Sequence, residues 1–235
     1  MTVAEIMTQL EAAGSESIKK ILLKHGVKEP FFGVKIEHLK PIQKQIKMDY
    51  QLSKDLYATG NADAMYLAGL IADDAKMTKA DLQTWVEQAL SANISDYTVP
   101  WVAAGSPHGY ELASKWIDSK EPHIACAGWS TLSNITAITP DADLDIPGYK
   151  KLLDRVVKTI HAADNRVKLT MNNFVISVGS YVTPLTADAL AAADKIGVVK
   201  VDMNGTACKV PGIAEYIGKV EAKRGIGKKK KTVKC

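Results

Sequence analysis

Cysteine is scarce in this 235-residue sequence: Cys126, Cys208 and Cys235 stand far apart, and no two of them form a Cys-x-x-Cys pair. That spacing excludes a disulfide framework and a cysteine-based structural zinc site, and it predicts a reducing, cytoplasmic setting. No apolar run approaches the ~18–20 residues a membrane helix needs, so no membrane partner is expected. Met1-Thr2-Val3-Ala4-Glu5 lacks a basic segment followed by an apolar core, which predicts no secretory signal. Cys235 lacks the three residues that a prenylation box places after it. The common catalytic signatures are missing too. Gly225-Ile226-Gly227-Lys228 has a superficial likeness to a phosphate-binding loop but neither its spacing nor a strand before it, and there is no His-Glu-x-x-His or Gly-x-Ser-x-Gly. The five histidines (His25, His38, His108, His123, His161) are widely spaced and read as helix-terminal or solvent-facing. No metal site and no cofactor are expected.

What is present is ordinary globular composition, 46% hydrophobic and 24% charged, with an uneven distribution of charge. The formal net charge is +4, but the segment from Lys219 onward carries eight Lys/Arg against the single acid Glu221, a net +7. The other 218 residues hold 22 basic and 25 acidic side chains, a net −3. The body is therefore not a generally basic nucleic-acid binder, and polyanion affinity must come from the tail or from a local patch.

The dominant period is helical. Val3, Ile6, Met7 and Leu10 fall at i, i+3, i+4, i+7, and Ile18, Ile21 and Leu22 repeat the pattern until Gly26. Ile36, Leu39, Ile42 and Ile46 continue it around Pro41, which predicts a kink or a boundary. The small-residue segment from Ala62 to Ala72 reads as a closely packed helix. Thr78-x-x-Asp81 has the form of a capping box before the apolar face Leu82, Trp85, Val86, Ala89, Leu90. Pro107, Pro122 and Pro147 each fall where a helix takes proline in its first turn. Ten or eleven helices with short loops favour an all-α fold, an α-α superhelix of HEAT-like repeats. The boundaries predicted are one helical-repeat domain over 1–222 and a basic tail over 223–235, with no intrinsic need to self-associate and so a monomer.

One segment breaks the helical period. Val199, Val201 and Met203 alternate with Lys200 and Asp202, then Asn204-Gly205 leads into Thr206 to Val210. An Asn-Gly pair between alternating runs predicts a small β-hairpin near the C-terminus, about 198–210, because both central turn positions need positive φ. It reads either as a cap on the last repeat or as a finger toward a ligand, with Asn204 at its tip.

Several residues are candidates for nucleic-acid contact, each with a packing alternative. Trp85, Trp101, Trp116 and Trp129 all lie in the middle third. Trp85 and Trp116 sit on clean apolar faces and read as core; Trp101, near Tyr97, is open between core and a base-stacking groove. Asn172 and Asn173 place two amides in an apolar helix, where they make either an inter-repeat hydrogen bond or a ligand contact. Arg155, Arg166 and Lys168 are body cations able to meet phosphate, and Lys228, Lys229, Lys230 and Lys231 are the tail's; a basic run of this kind is also often a solvated end.

Pro30-Phe31-Phe32-Gly33-Val34, Ser95-Asp96-Tyr97-Thr98-Val99-Pro100-Trp101, the helix from Met171 to Tyr181 and the stretch Val201 to Pro211 together resemble the DNA alkylation repair family of HEAT-like-repeat proteins. The similarity runs through most of the chain, and the ending Gly227-Lys228-Lys229-Lys230-Lys231 looks like one branch of that family. The resemblance implies a right-handed superhelix whose concave face holds DNA. It also implies a test of activity, because the family's glycosylases carry Trp-Trp-Asp-x-x-Asp, whose last carboxylate supports loss of the alkylated base. Here Asp96 matches the first Asp, Val99 stands at the catalytic one, and Ile94 and Ser95 replace the paired tryptophans. An arginine expected near Cys126 is absent, and Phe174 or Ile176 stands near the second stacking tryptophan. A carboxylate that stabilises a developing positive sugar has no apolar substitute.

The expectation is therefore a DNA-binding protein that recognises damaged, distorted or branched DNA, with DNA as its partner. Two alternatives stay open: an alkylpurine glycosylase using Asp96 as its catalytic residue, and a protein-interaction solenoid without enzymatic activity.

Overall fold

The structure is a computed structural model that describes residues 1–235. It is all helical, with thirteen α-helices and no β-strand. Internal contacts group the chain into two compact units. Unit 1 comprises Met1–His108 with Asn204–Thr206 and Lys234–Cys235, and unit 2 comprises Gly109–Met203 with Ala207–Val233.

Unit 1 contains α1 (Val3–Ala12), α2 (Glu16–Lys24), α3 (Ile36–Ile46), α4 (Tyr50–Tyr57), α5 (Ala62–Ile71), α6 (Lys79–Gln88) and α7 (Val99–Gly105). Its centre is α5, in which all ten residues are buried. Small side chains make this possible: a Cβ added at Gly69 would lie 2.4 Å from Thr98 Cγ2. Asn61 caps the helix by accepting from the Asp63 and Ala64 amides. Around this centre, Tyr57 stacks on Trp85 with ring centroids 4.0 Å apart and donates its hydroxyl to the Trp85 carbonyl. The expected capping box at α6 is formed in both directions between Thr78 and Asp81. Pro41 lies inside α3 without ending it.

The Pro30 to Val34 motif is a clasp on α5. The Asp63 carboxylate accepts from three successive amides, those of Phe32 (2.7 Å), Gly33 (3.0 Å) and Val34 (3.3 Å). Such a run of N–H groups on one carboxylate requires a left-handed residue within it, and Gly33 supplies φ +81°. Phe31 beneath the loop packs with Val27 and Ala62.

Unit 2 contains α8 (Gly109–Trp116), α9 (Pro122–Ile138), α10 (Ile146–Thr159), α11 (Asn165–Tyr181), α12 (Thr186–Ile196) and α13 (Ile213–Arg224). The two 17-residue helices α9 and α11 form its middle. Trp129 meets Phe174 edge-on at 5.1 Å, and Tyr149 stacks on the same ring. Close approaches are again cut from glycine: a Cβ at Gly128 would lie 2.7 Å from the Ile117 amide nitrogen.

The expected hairpin at 198–210 is not formed. Its turn is present, with Asn204 at φ +53° and Gly205 at φ +69°, but the flanks make no strand ladder. The physical reason is visible at Asp202. Its amide donates to Asn165 Oδ1 and its carbonyl accepts from Asn165 Nδ2, both at 2.8 Å. A side-chain amide on the first residue of α11 thus holds the Asp202 backbone, so this flank of the turn is fixed by α11 and not by the facing flank.

Candidate nucleic-acid interface

In unit 1 the candidate site is built on a single π-helical turn, Ile94–Thr98, leading into α7. Pro100 has no amide to donate back into this turn, and the Val99 amide reaches five residues back to the Ile94 carbonyl. The wider winding turns neighbouring side chains in different directions. Tyr97 stands 53% exposed, whereas Trp101 is only 6% exposed and packs edge-on against Tyr66 at 5.2 Å. The two rings lie 6.2 Å apart. Trp101 is therefore the wall and Tyr97 the accessible face.

Asp96 is buried beside them and accepts a hydrogen bond from Ser95 Oγ at 2.9 Å. Val99 is fully buried. The position expected to carry a catalytic carboxylate thus holds an isopropyl group packed into the helical core.

In unit 2 the candidates separate into groups already engaged and groups that face solvent. Asn172 is 1% exposed, and its side chain donates to the Pro211 carbonyl at 3.0 Å. Of the two readings left open for Asn172, this is the packing one: the amide joins α11 to the segment before α13. Its neighbour Asn173 is exposed. Arg155 is engaged as well, pairing with Asp118 at 2.7 Å and donating to the Ile117 carbonyl at 3.0 Å, with its guanidinium over Trp129. It borders a cleft of about 260 Å³ lined also by Ser119, Asp164 and Met171. Arg166 and Lys168, in the first turn of α11, are half-buried. In unit 1 Asn204 is exposed at its turn.

The basic tail is ordered. Gly227 donates its amide to the Ser180 carbonyl (3.0 Å) and Lys230 donates its amide to the Ala137 carbonyl (2.7 Å). Lys229 Nζ donates to the Thr136 carbonyl and pairs with Asp141, each at 2.8 Å. Arg224 and Lys230 both lie over the Tyr181 ring. In unit 1, Lys234 pairs with Asp74 at 2.7 Å and donates to the Ala72 carbonyl, while Lys40 Nζ donates to the Cys235 carbonyl oxygen. Burial pushes the Asp74 carboxyl up to about 6 against the pull of Lys234. The carbonyl acceptors at the ends of α9 and α11 could not have been assigned from the sequence, because helix-end carbonyls carry no residue signature. No group of three His, Cys, Asp or Glu side chains converges in a way that could hold a metal ion.

Comparison with known proteins agrees with this architecture. A solved structure described as belonging to a new family of proteins related to the HEAT-like repeat DNA glycosylases with affinity for branched DNA structures superimposes with a TM-score of 0.91. It is 36% identical, and the match covers 100% of both chains. Uncharacterized proteins of Listeria innocua and Listeria monocytogenes are each 30% identical over 225 residues, which is 93% of this chain and 97% of theirs. The family model described as DNA alkylation repair enzyme matches residues 6–207. The chain belongs to the DNA alkylation repair family.

Proposed function

We propose that this protein binds branched DNA and does not release bases from it. The observation that carries the reading is Val99: fully buried and apolar where the resemblance puts the glycosylase carboxylate. Cleavage of the N-glycosidic bond needs an anion near the sugar as positive charge develops there, and the useful term is electrostatic. Asp96 is a poor substitute, since it is buried and already accepts from Ser95. The full-length likeness to a protein described as having affinity for branched DNA supplies the alternative activity.

Tyr97 is the residue offered to an unpaired or splayed base, a contact worth about 1–3 kcal/mol for an aromatic side chain. Asn173, Arg166, Lys168 and Asn204 are the remaining body contacts proposed. Arg155 has less to offer, with Asp118 already neutralising it.

The test measures binding and base release in parallel on duplex, alkylated duplex and four-way-junction DNA. The expected result is junction binding at least tenfold tighter than duplex, with no base release. Equal affinity for duplex and junction refutes the preference. Base release that Asp96→Asn abolishes refutes the assignment as a non-glycosylase.

A further inference from the structure

The run Lys228-Lys229-Lys230-Lys231 reads as four equivalent cations, yet the structure treats them differently. The last carbonyls of a helix have no partner within it, and they form the negative end of its dipole. Both α9 and α11 end beside the tail. Thr136 and Ala137 belong to the last turn of α9, and Ser180 to the last turn of α11. Two tail amides and one ammonium satisfy these three carbonyls. Asp141, which holds Lys229, is itself fixed by accepting the Thr183 amide at 3.1 Å. Gly227 is required at the point of entry, with φ +77° and a Cβ position only 2.3 Å from Thr183 Oγ1.

Exposure differs sharply along the segment. Lys228, Lys230 and Lys231 are exposed, while the Lys229 side chain keeps only 20% of its accessible surface. Lys228 and Lys231 face no acidic partner, and Lys230 rests against the face of Tyr181.

We infer that residues 227–231 form a fixed strap in which Lys229 is the anchor and Lys228, Lys230 and Lys231 are a pre-placed edge for the phosphates of bound DNA. The inference rests on the DNA-binding reading for its ligand but not for its geometry. Fixing the strap in the free protein removes the ordering cost that a disordered basic tail meets on binding. Lys229 adds no phosphate contact, because Asp141 and a helix end already hold its charge.

The test uses the full chain, with amide hydrogen exchange and four-way-junction binding measured on the same preparations. Wild-type Gly227 and Lys230 amides should be protected from exchange without DNA. Lys228→Gln combined with Lys231→Gln should leave that protection intact, weaken junction binding about tenfold near 0.1 M salt and reduce the log–log salt slope by about 1.8. Asp141→Asn, which removes no cation, should lose the protection, and Lys229→Gln should alter the slope less than Lys228→Gln alone. Free-peptide exchange at Gly227 and Lys230 in the wild type overturns the strap. An equal slope change at Lys228 and Lys229 overturns the division of roles. Protected amides in a protein that binds no junction refute the phosphate edge together with the branched-DNA reading, and leave the strap standing.

Discussion

Asp81 is the residue at which one substitution should have the most calculable effect. Its Oδ1 pairs with Lys54 at 2.7 Å, and its Oδ2 accepts from Tyr50 Oη (2.7 Å), Thr78 Oγ1 (2.7 Å) and the Thr78 amide (3.1 Å). It therefore closes the capping box of α6 and ties that helix to α4. Asp81→Asn keeps one oxygen for the Tyr50 and Thr78 donors but turns an NH₂ group toward the Lys54 ammonium. The lost charge-assisted bond is worth about 1.5–3 kcal/mol, and Lys54 being a third exposed places the loss near the lower end, about 2 kcal/mol. At roughly 2–4 °C per kcal/mol for a chain of this size, the melting temperature should fall by about 4–8 °C. Burial alone would raise this carboxyl, yet Lys54, Thr78 and Tyr50 hold it well below the usual carboxylate range. A depressed carboxyl contributes stability above its unfolded value of about 3.9, and that contribution is lost as pH falls toward the folded value. The gap between wild type and Asp81→Asn should thus stay constant from about pH 8 to pH 5 and narrow below about pH 4. Thermal unfolding across that pH series, with amide exchange in α6 to localise the effect, checks both parts. A shift under about 1 °C at pH 7, or a gap that does not change with acid, refutes the reasoning.

Other perturbations separate packing from contact. Gly33→Ala places a Cβ about 2.6 Å from the Ser15 carbonyl oxygen at φ +81°, so it should cost about 2–4 kcal/mol in urea unfolding and expose the Phe31 loop to proteolysis. Tyr97→Ala should weaken junction binding about tenfold with the melting temperature within about 1 °C, whereas Trp101→Ala should destabilise unit 1 by about 3–5 kcal/mol. Asn172→Ala should lower stability by about 1–3 kcal/mol, since it leaves the Pro211 carbonyl without its donor. Asp74 must be ionised to pair with Lys234, and with its carboxyl near 6 the contact at Lys234 should loosen as pH falls through about 6. Proteolytic release of the last residues at pH 5 but not at pH 7.5 would show this; equal release at both would refute it.

Features set within one turn of chain could be read in advance. The Thr78–Asp81 box, the buried faces carrying Trp85 and Trp116, and the positive φ values at Asn204 and Gly205 all follow from neighbours in sequence. What was not legible rests on distant partners. The Asp202 flank of the missing hairpin is held by Asn165, 37 residues away, and the polarity of Asn172 is answered by Pro211, 39 residues away. In both cases a side-chain amide makes a long-range contact whose partner has no mark in the local pattern. Pattern reading counts donors and acceptors along the chain but cannot say which distant carbonyl will be left over.

The basic tail shows the same failure in electrostatic form. A net +7 treats each cation as available, but Lys229 is spent on Asp141 and a helix end, and Lys234 on Asp74 and the Ala72 carbonyl. Lys219 pairs with Glu215. The charge left for a polyanion is therefore close to that of Lys223, Arg224, Lys228, Lys230 and Lys231. If counterion release tracks available cations, deleting the residues after Gly225 should remove about three phosphate contacts and lower the salt slope by roughly 2.7. A loss of about 4.5, as five independent lysines would give, would mean that binding pulls the tail from its anchors, so the slope measured on that one deletion decides between a fixed edge and a released arm.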